Sequence, residues 1–201
     1  MGKNVCLGRY FFQLPPESKG KGATSTKSRD AAAETIDVWP SNLLSTGGNQ
    51  SYADVCSLFL LQMACVLNMA AGWRRARLRI FLCVESDSGD QGWLAKEERF
   101  RELLGKLRIR ATIKIVPWDS AVRLLRGSDS GSVVTEEFLS AVNQLLKEHS
   151  TSAAVRFLYL PRPPADSNQS QQYLAQLDTL TQGLGPTLLI HGLTPVTCTE
   201  L

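Results

Sequence analysis

The stretch "RLRIFLCV", residues 77–84, decides the fold. Its first residues alternate between arginine and an apolar side chain, and from Ile80 onward every residue is apolar. A strand that is apolar on both sides has to be covered on both faces, which is the situation of a central strand in a parallel sheet. The pattern therefore predicts a buried parallel strand that begins at solvent and runs into the core.

Strand-like and helix-like segments alternate on both sides of this stretch. The predicted strands are 4–14, 35–39, 77–84, 111–116, 154–160 and 187–192. The predicted helices are 52–71, 93–107, 119–125 and 134–148, with a last helix lined by Tyr173, Leu174, Leu177 and Leu180. Short connections between such segments favour right-handed crossovers onto a parallel sheet. The sequence predicts an α/β fold, with a doubly wound, mostly parallel sheet and helices on both faces.

Composition divides the chain into three parts. Residues 1–16 form an N-terminal strand segment that ends at two prolines, and residues 17–34 are rich in Ser, Lys and Gly without an apolar anchor. Such a segment is typical of a flexible linker. We expect residues 35–201 to form the α/β domain.

The longest apolar stretch, residues 57–73, raises the question of a membrane span. It is about as long as the shortest known spans, and Gln62 and Asn68 interrupt it. We interpret it as a core helix. Because it is apolar all round, it should be covered on every side.

Charge and residue counts disfavour several classes of function. The formal net charge is +3, from 22 basic and 19 acidic side chains, which does not indicate nucleic-acid binding. Five widely separated cysteines read as buried free thiols in a reducing compartment. With two histidines and no ligand cluster, we expect no metal site, no cofactor and no enzymatic activity.

Motifs for phosphate binding and nucleophilic catalysis are missing from the sequence. There is no GxGxxG, no GxxxxGK[ST] and no GxSxG. The predicted loop 85–92, "ESDSGDQG", follows the first central strand, but its carboxylates would repel a phosphate. A nucleotide-binding sensor is therefore an alternative function that this acidic loop disfavours. Cys83 lies in an apolar strand, where a thiolate is unfavourable.

Two short motifs are candidate interaction sites. Arg74, Arg75, Arg77 and Arg79 follow Trp73 at the start of the first central strand. They would form a solvated, salt-bridged rim, or else bind an acidic protein surface or the inner face of a membrane. The C-terminal residues Thr199, Glu200 and Leu201 fit the carboxyl ending that PDZ-type modules capture, or else belong to an edge strand or a frayed end.

Two blocks of the chain resemble a known family. "FLLQMACVLNMAAGWRRARLRIFLCVE" (59–85) and "VRFLYLPRPPADSNQSQQYLAQLDTLTQGLGPTLLIHG" (155–192) are similar to the cytosolic C-terminal domain of the cation-chloride cotransporters, the solute carrier 12 family. The first block has the family's apolar helix, Trp and basic residues leading into a strand. "STGGNQ" (45–50) departs from the acidic turn usual in the family, and the chain looks most like a divergent branch.

The resemblance implies a fold like that of the universal stress proteins and a role in regulation and assembly. It implies that the domain dimerises with other cotransporter subunits, alike or different, and modulates chloride and potassium cotransport without carrying ions itself. The resemblance also implies a location at the cytoplasmic face of the plasma membrane, or in the cytosol for the isolated chain. Trp73 and the arginines after it would face the membrane-embedded transporter core or a partner subunit.

Overall fold

The computed structural model describes residues 3–14, 34–44, 54–85, 89–126, 134–164 and 166–194. The predicted linker, apart from Glu34, and the C-terminal residues Thr199, Glu200 and Leu201 lie outside this range. The strands are β1 (Val5–Arg9), β2 (Thr35–Trp39), β3 (Arg77–Val84), β4 (Thr112–Pro117), β5 (Ala153–Tyr159) and β6 (Thr187–His191). The helices are α1 (Val55–Met69), α2 (Gly89–Lys106), α3 (Asp119–Arg126), α4 (Glu136–His149) and α5 (Ser170–Thr181).

All six strands form one sheet, in the order β1-β6-β5-β2-β3-β4. The chain enters the middle of the sheet at β2, moves outward through β3 to β4, and then crosses to the other side of β2 for β5 and β6. These five strands are parallel, and β1 adds to β6 in the antiparallel direction. The predicted doubly wound, mostly parallel α/β sheet is confirmed.

Helices cover both faces of the sheet and enclose two cores. On one face, α1 and α2 pack their apolar side chains on residues such as Ile36, Ile80 and Phe157. On the other face, α3, α4 and α5 enclose a core in which Trp39 stacks on Phe81, with ring centroids 4.5 Å apart. Residues 77–84 contribute to both cores, as their apolar pattern predicted.

Several predicted boundaries are wrong. β1 stops at Arg9 rather than continuing to residue 14, because Tyr10 takes a left-handed conformation (φ 58°) and a short 3-10 helix, Phe11–Gln13, follows. Residues 89–92, predicted as loop, form the first turn of α2. The helix predicted over 52–71 is α1, which begins after the capping residue Asp54 and ends at Met69.

Two predictions about burial are also wrong. Helix α1 is not covered on every side: it packs one side on the sheet and leaves Val66 and Met69 about half exposed. Cys6 is exposed, because β1 is an edge strand, and Cys65 is only partly buried, whereas Cys56 and Cys83 are buried as expected. Cys198 lies outside the described residues. Among the described residues, no helix combines the length and the hydrophobicity that crossing a bilayer demands.

Candidate interaction surfaces

The predicted Trp-Arg site begins with a turn that one side chain holds together. After α1 ends, the Nδ2 atom of Asn68 donates hydrogen bonds to the carbonyl oxygens of Trp73 and Ala76, at 3.0 and 2.9 Å. The Arg74 Nε donates to the carbonyl oxygen of Met69, at 3.1 Å, and so caps the last turn of the helix. Trp73 is partly buried against the core under α1 and α2. The corner is therefore a built structural feature.

Arg79 does not belong to a solvated rim. Its Nε and an Nη atom donate to the two carboxylate oxygens of Asp37, each at 2.7 Å, and Asp37 is fully buried. Its guanidinium also lies 5.5 Å from the centre of the Phe81 ring. Such two-point pairing fixes the geometry of both groups. Arg79 is salt-bridged, as one interpretation expected, but its partner is a buried carboxylate inside the sheet rather than a group at a solvated rim.

A second arginine flanks Asp37 from the other side. Strand β2 lies between β5 and β3, and Asp37 is in register with Arg156 as well as with Arg79. Arg156 is buried and donates hydrogen bonds to the carbonyl oxygens of Ser150 and Leu184. Burial lowers the pKa of Arg156, while the Asp37 carboxylate acts in the opposite direction. The three side chains form a charged row across the central strands, in which Asp37 and Arg156 are buried and Arg79 is partly exposed.

Sequence reasoning missed Asp37 and Arg156. The signal for both was a charged residue inside an otherwise apolar strand, "TIDVW" and "AVRFLY". Such a residue needs a partner, because an unpaired buried charge is costly. With Arg79 engaged by Asp37 and Arg74 capping α1, Arg75 and Arg77 are the two predicted site arginines that stay exposed without such a structural role.

The carboxyl ends of the strands are where doubly wound proteins usually bind ligands, at the point where the strand order reverses. In this chain that point lies between β2 and β5, next to the start of α1. The Asp54 carboxylate accepts a hydrogen bond from the Ser57 N–H at 2.6 Å, and the Ser57 hydroxyl donates to the carbonyl oxygen of Pro40 at 2.6 Å. A phosphate brought to this helix end would face the Asp54 carboxylate.

The thiols and histidines of the described residues do not form a reactive group. Burial raises the pKa of Cys83 to about 12 and that of Cys65 to about 11, which disfavours the thiolate at neutral pH. The Nδ1 atom of His191 lies 3.2 Å from the carbonyl oxygen of Leu160 at the end of β6. Within the described ranges, no set of His, Cys, Asp and Glu side chains is placed to hold a metal ion.

The outer edge of the sheet presents an apolar surface. Val5 and Leu7 on β1 are exposed, although both are large and apolar. Arg9 forms an ion pair with Asp178 of α5, which fixes that helix beside β1. Leu174, one helical turn before Asp178, is 56% exposed. Val5, Leu7 and Leu174 therefore border a sheet edge that pairs with no further strand among the described residues.

The chain has close relatives among curated proteins. It is 74% identical over 202 residues to solute carrier family 12 member 9 of Danio rerio, 54% over 211 residues to that of Xenopus laevis, and 42% over 231 residues to that of Homo sapiens. Each match includes the whole chain but only 22 to 24% of the relative. The chain thus spans less than a quarter of the length of these proteins. No protein-family model matches it.

These matches test the resemblance that the sequence blocks predicted. The divergent branch indicated by those blocks is the cotransporter-interacting-protein member, which is the ninth of the solute carrier 12 family. The relatives are named as the ninth member of that family, and the identity extends over the blocks and the segments between them. The chain belongs, as a segment, to the solute carrier 12 family of cation-chloride cotransporters.

Proposed function

We propose that the chain is a cytosolic C-terminal regulatory and assembly domain of a cation-chloride cotransporter-like membrane protein. In this role it modulates chloride and potassium cotransport by dimerising or by associating with other cotransporters. It carries no ions and catalyses no reaction by itself. Its relation to solute carrier family 12 member 9 supports the membrane parent, and its α/β fold supports a domain outside the bilayer.

The observation that carries the assembly role is the outer edge of β1. Within the described residues β1 pairs with β6 alone, so its other edge has unpaired N–H and C=O groups. Residues Val5 to Gly8 contain neither a charge nor a proline, the usual devices that prevent an edge strand from pairing. Arg9 is neutralised by Asp178. An edge of this kind favours pairing with another strand.

The proposed occupant of this edge is a second copy of the chain. Two antiparallel β1 strands centred on Leu7 would place Leu7 against its own copy and Cys6 against Gly8, without bringing like charges together. A two-fold axis generates such a self-complementary contact. Because α5 and β1 both run opposite to β6, Leu174 lies on the side of Leu7 and would add apolar area to the same interface.

The test is the mass of the purified chain in solution, measured by light scattering with and without ATP and Mg²⁺. We expect a dimer whose mass and melting temperature do not respond to nucleotide. The variant with Leu7→Lys and Leu174→Lys should be a monomer, because two cations would be buried at the interface. Leu94→Lys with Leu124→Lys, which changes two exposed leucines on α2 and α3, should leave the dimer intact.

Two results would contradict the proposal. A wild-type chain that stays monomeric at high concentration would remove the assembly role. A melting temperature that rises steeply with ATP would favour the alternative function, a nucleotide-binding sensor of the universal-stress-protein type.

A further inference from the structure

Two turns meet at the amino-terminal edge of the sheet. The first, residues 70–76, connects α1 to β3, and the second, residues 107–111, connects α2 to β4. Strands β3 and β4 are parallel neighbours, with Arg79 in register with Thr112. Arg77 and Arg110 each lie two residues before that pair, so they reach the same edge. Residues 69–77 and 106–111 are called the basic tip below.

The basic tip carries six cations and no carboxylate in its own sequence. Arg74, Arg75, Arg77, Lys106, Arg108 and Arg110 are all exposed. The chain has a net charge of only +3, so this surface is far more basic than the average of the molecule. Glu34, which directly precedes β2, is the described acidic residue that lies nearest to the basic tip on the neighbouring strand. Its backbone carbonyl oxygen accepts a hydrogen bond from the Arg77 N–H. A concentration of like charge at one edge is unfavourable unless a partner compensates it.

One of these arginines has a backbone conformation that favours glycine. Arg108 ends α2 in a left-handed conformation with φ 56°, its N–H bonded to the carbonyl oxygen of Gly105, while the Ile109 N–H bonds to that of Leu104. Helices commonly end in this conformation, and glycine adopts it without the strain that a side chain brings. The chain therefore places a cation at the tip where glycine would fit the fold better.

Apolar surface lies directly beside the charges. Met69 is 52% exposed, and Ala70, Ala71 and Gly72 are also exposed, followed by the partly buried Trp73. Exposed apolar residues beside a group of cations are typical of segments that lie at a membrane surface. Arginine stems pack on apolar surface while the guanidinium reaches anionic headgroups.

We propose that the basic tip docks on an anionic bilayer surface. The inference rests on the proposed function, which places the domain next to a membrane, and it assigns the partner of one edge of that domain. A folded acidic protein is the less favoured partner. Protein interfaces gain most of their affinity from a few large anchoring side chains, but the one aromatic side chain of this tip, Trp73, is partly buried against the chain's own core. Anionic lipid requires only accessible cations and a shallow apolar contact.

The experiment measures binding of the purified chain to phosphatidylcholine vesicles with and without about 30 mol% phosphatidylserine, at about 0.1 M salt. We expect binding to the anionic vesicles that weakens as salt is raised, and none to pure phosphatidylcholine. The variant with Arg75→Gln, Arg77→Gln, Arg108→Gly and Arg110→Gln should bind at least about tenfold more weakly. The single variant Arg108→Gly keeps the fold and should already bind a few-fold more weakly.

A matched control removes the same number of charges elsewhere. Lys96→Gln, Arg99→Gln, Arg123→Gln and Arg162→Gln change four cations that lie on α2, on α3 and in the loop after β5, away from the tip. This control should bind anionic vesicles within about twofold of the wild type, since charges beyond a Debye length of the surface contribute little.

Three outcomes would overturn the proposal. The first is that the wild type does not bind anionic vesicles. The second is that the tip variant and the control lose binding equally, which would indicate an effect of net charge alone. The third is that the wild type binds soluble polyglutamate but not vesicles, which would indicate an acidic protein partner. The mass measurement separates this proposal from the previous one. A dimer that ignores anionic vesicles contradicts only the membrane contact, and a monomer that binds them through the tip contradicts only assembly.

Discussion

Asp37 and Arg79 form a two-point ion pair between neighbouring central strands, with both nitrogen–oxygen distances at 2.7 Å. Asp37 is completely buried, whereas the Arg79 side chain retains 20% exposure. The pair lies in register, so the parallel pairing of β2 and β3 itself brings the two groups together. Arg156 extends the row on the other side.

Asp37→Asn should destabilise the chain by about 3–5 kcal/mol, because it leaves Arg79 and Arg156 without their shared anion. Urea unfolding of the purified variant measures this. Combining Asp37→Asn with Arg79→Met should cost less than the sum of the two single changes, since the single variants each leave a charge unpaired. A loss below about 1 kcal/mol for Asp37→Asn would show that the pair is energetically unimportant. The exposed pair of Glu97 and Arg101 provides the control, and Arg101→Gln should cost less than about 0.5 kcal/mol.

Asn68→Ala tests the turn that supports the basic tip. The Asn68 side chain bonds two carbonyl groups, those of Trp73 and Ala76, and alanine leaves both without this donor. We expect a loss of about 1–2 kcal/mol in unfolding free energy, and faster amide exchange in residues 70–76 than in β3. Unchanged exchange in that turn would mean that other contacts hold it.

The sequence allowed the fold to be predicted because a period of two residues, a helical period and short connections all indicated the same architecture. The pairing of Arg79 could not be predicted in this way. Alternation places Arg77 and Arg79 on one face of a strand, but the partner of Arg79 depends on which strand lies beside it and in what register. The same limit applies to Arg110, which joins the basic tip only through the pairing of β3 with β4.

The burial of α1 and β1 was mispredicted for a related reason. The apolar sequence of α1 indicated cover on every side, but the described residues cover one side of it. An apolar pattern reports how hydrophobic a surface is, and the position of neighbouring elements decides whether it is buried. β1 was correctly expected to be a strand, yet its place at the sheet edge follows from its antiparallel pairing with β6, which no local pattern encodes.

Gly192→Ala and Gly105→Ala should have opposite effects on stability. A Cβ atom at Gly192 would come within 2.4 Å of the Phe59 Cβ, and neither backbone can yield easily because the Gly192 N–H also bonds the Cys56 sulfur. Alanine there should cost about 1–3 kcal/mol. Gly105 lies inside α2 with open space around it, so alanine should stabilise by about 0.5–1 kcal/mol. Thermal melting of the two variants measures both effects. Equal shifts in melting temperature would contradict the close approach of α1 to the end of β6.

Cys83 should make the stability of the chain fall at alkaline pH. Its pKa rises from 9.0 to about 12 because it is buried in β3. Below pH 9 the thiol is neutral in both the folded and the unfolded chain, so the full contribution is present. As the pH rises from about 9 toward 12, the unfolded thiol ionises and the folded one does not, so stability is lost at about 1.4 kcal/mol per pH unit. Urea unfolding at about pH 8 and about pH 10 should therefore show a drop that is about 1.4 kcal/mol smaller in Cys83→Ala than in the wild type. Equal drops would mean that the thiol ionises in the folded chain, and that the core around β3 is open to water.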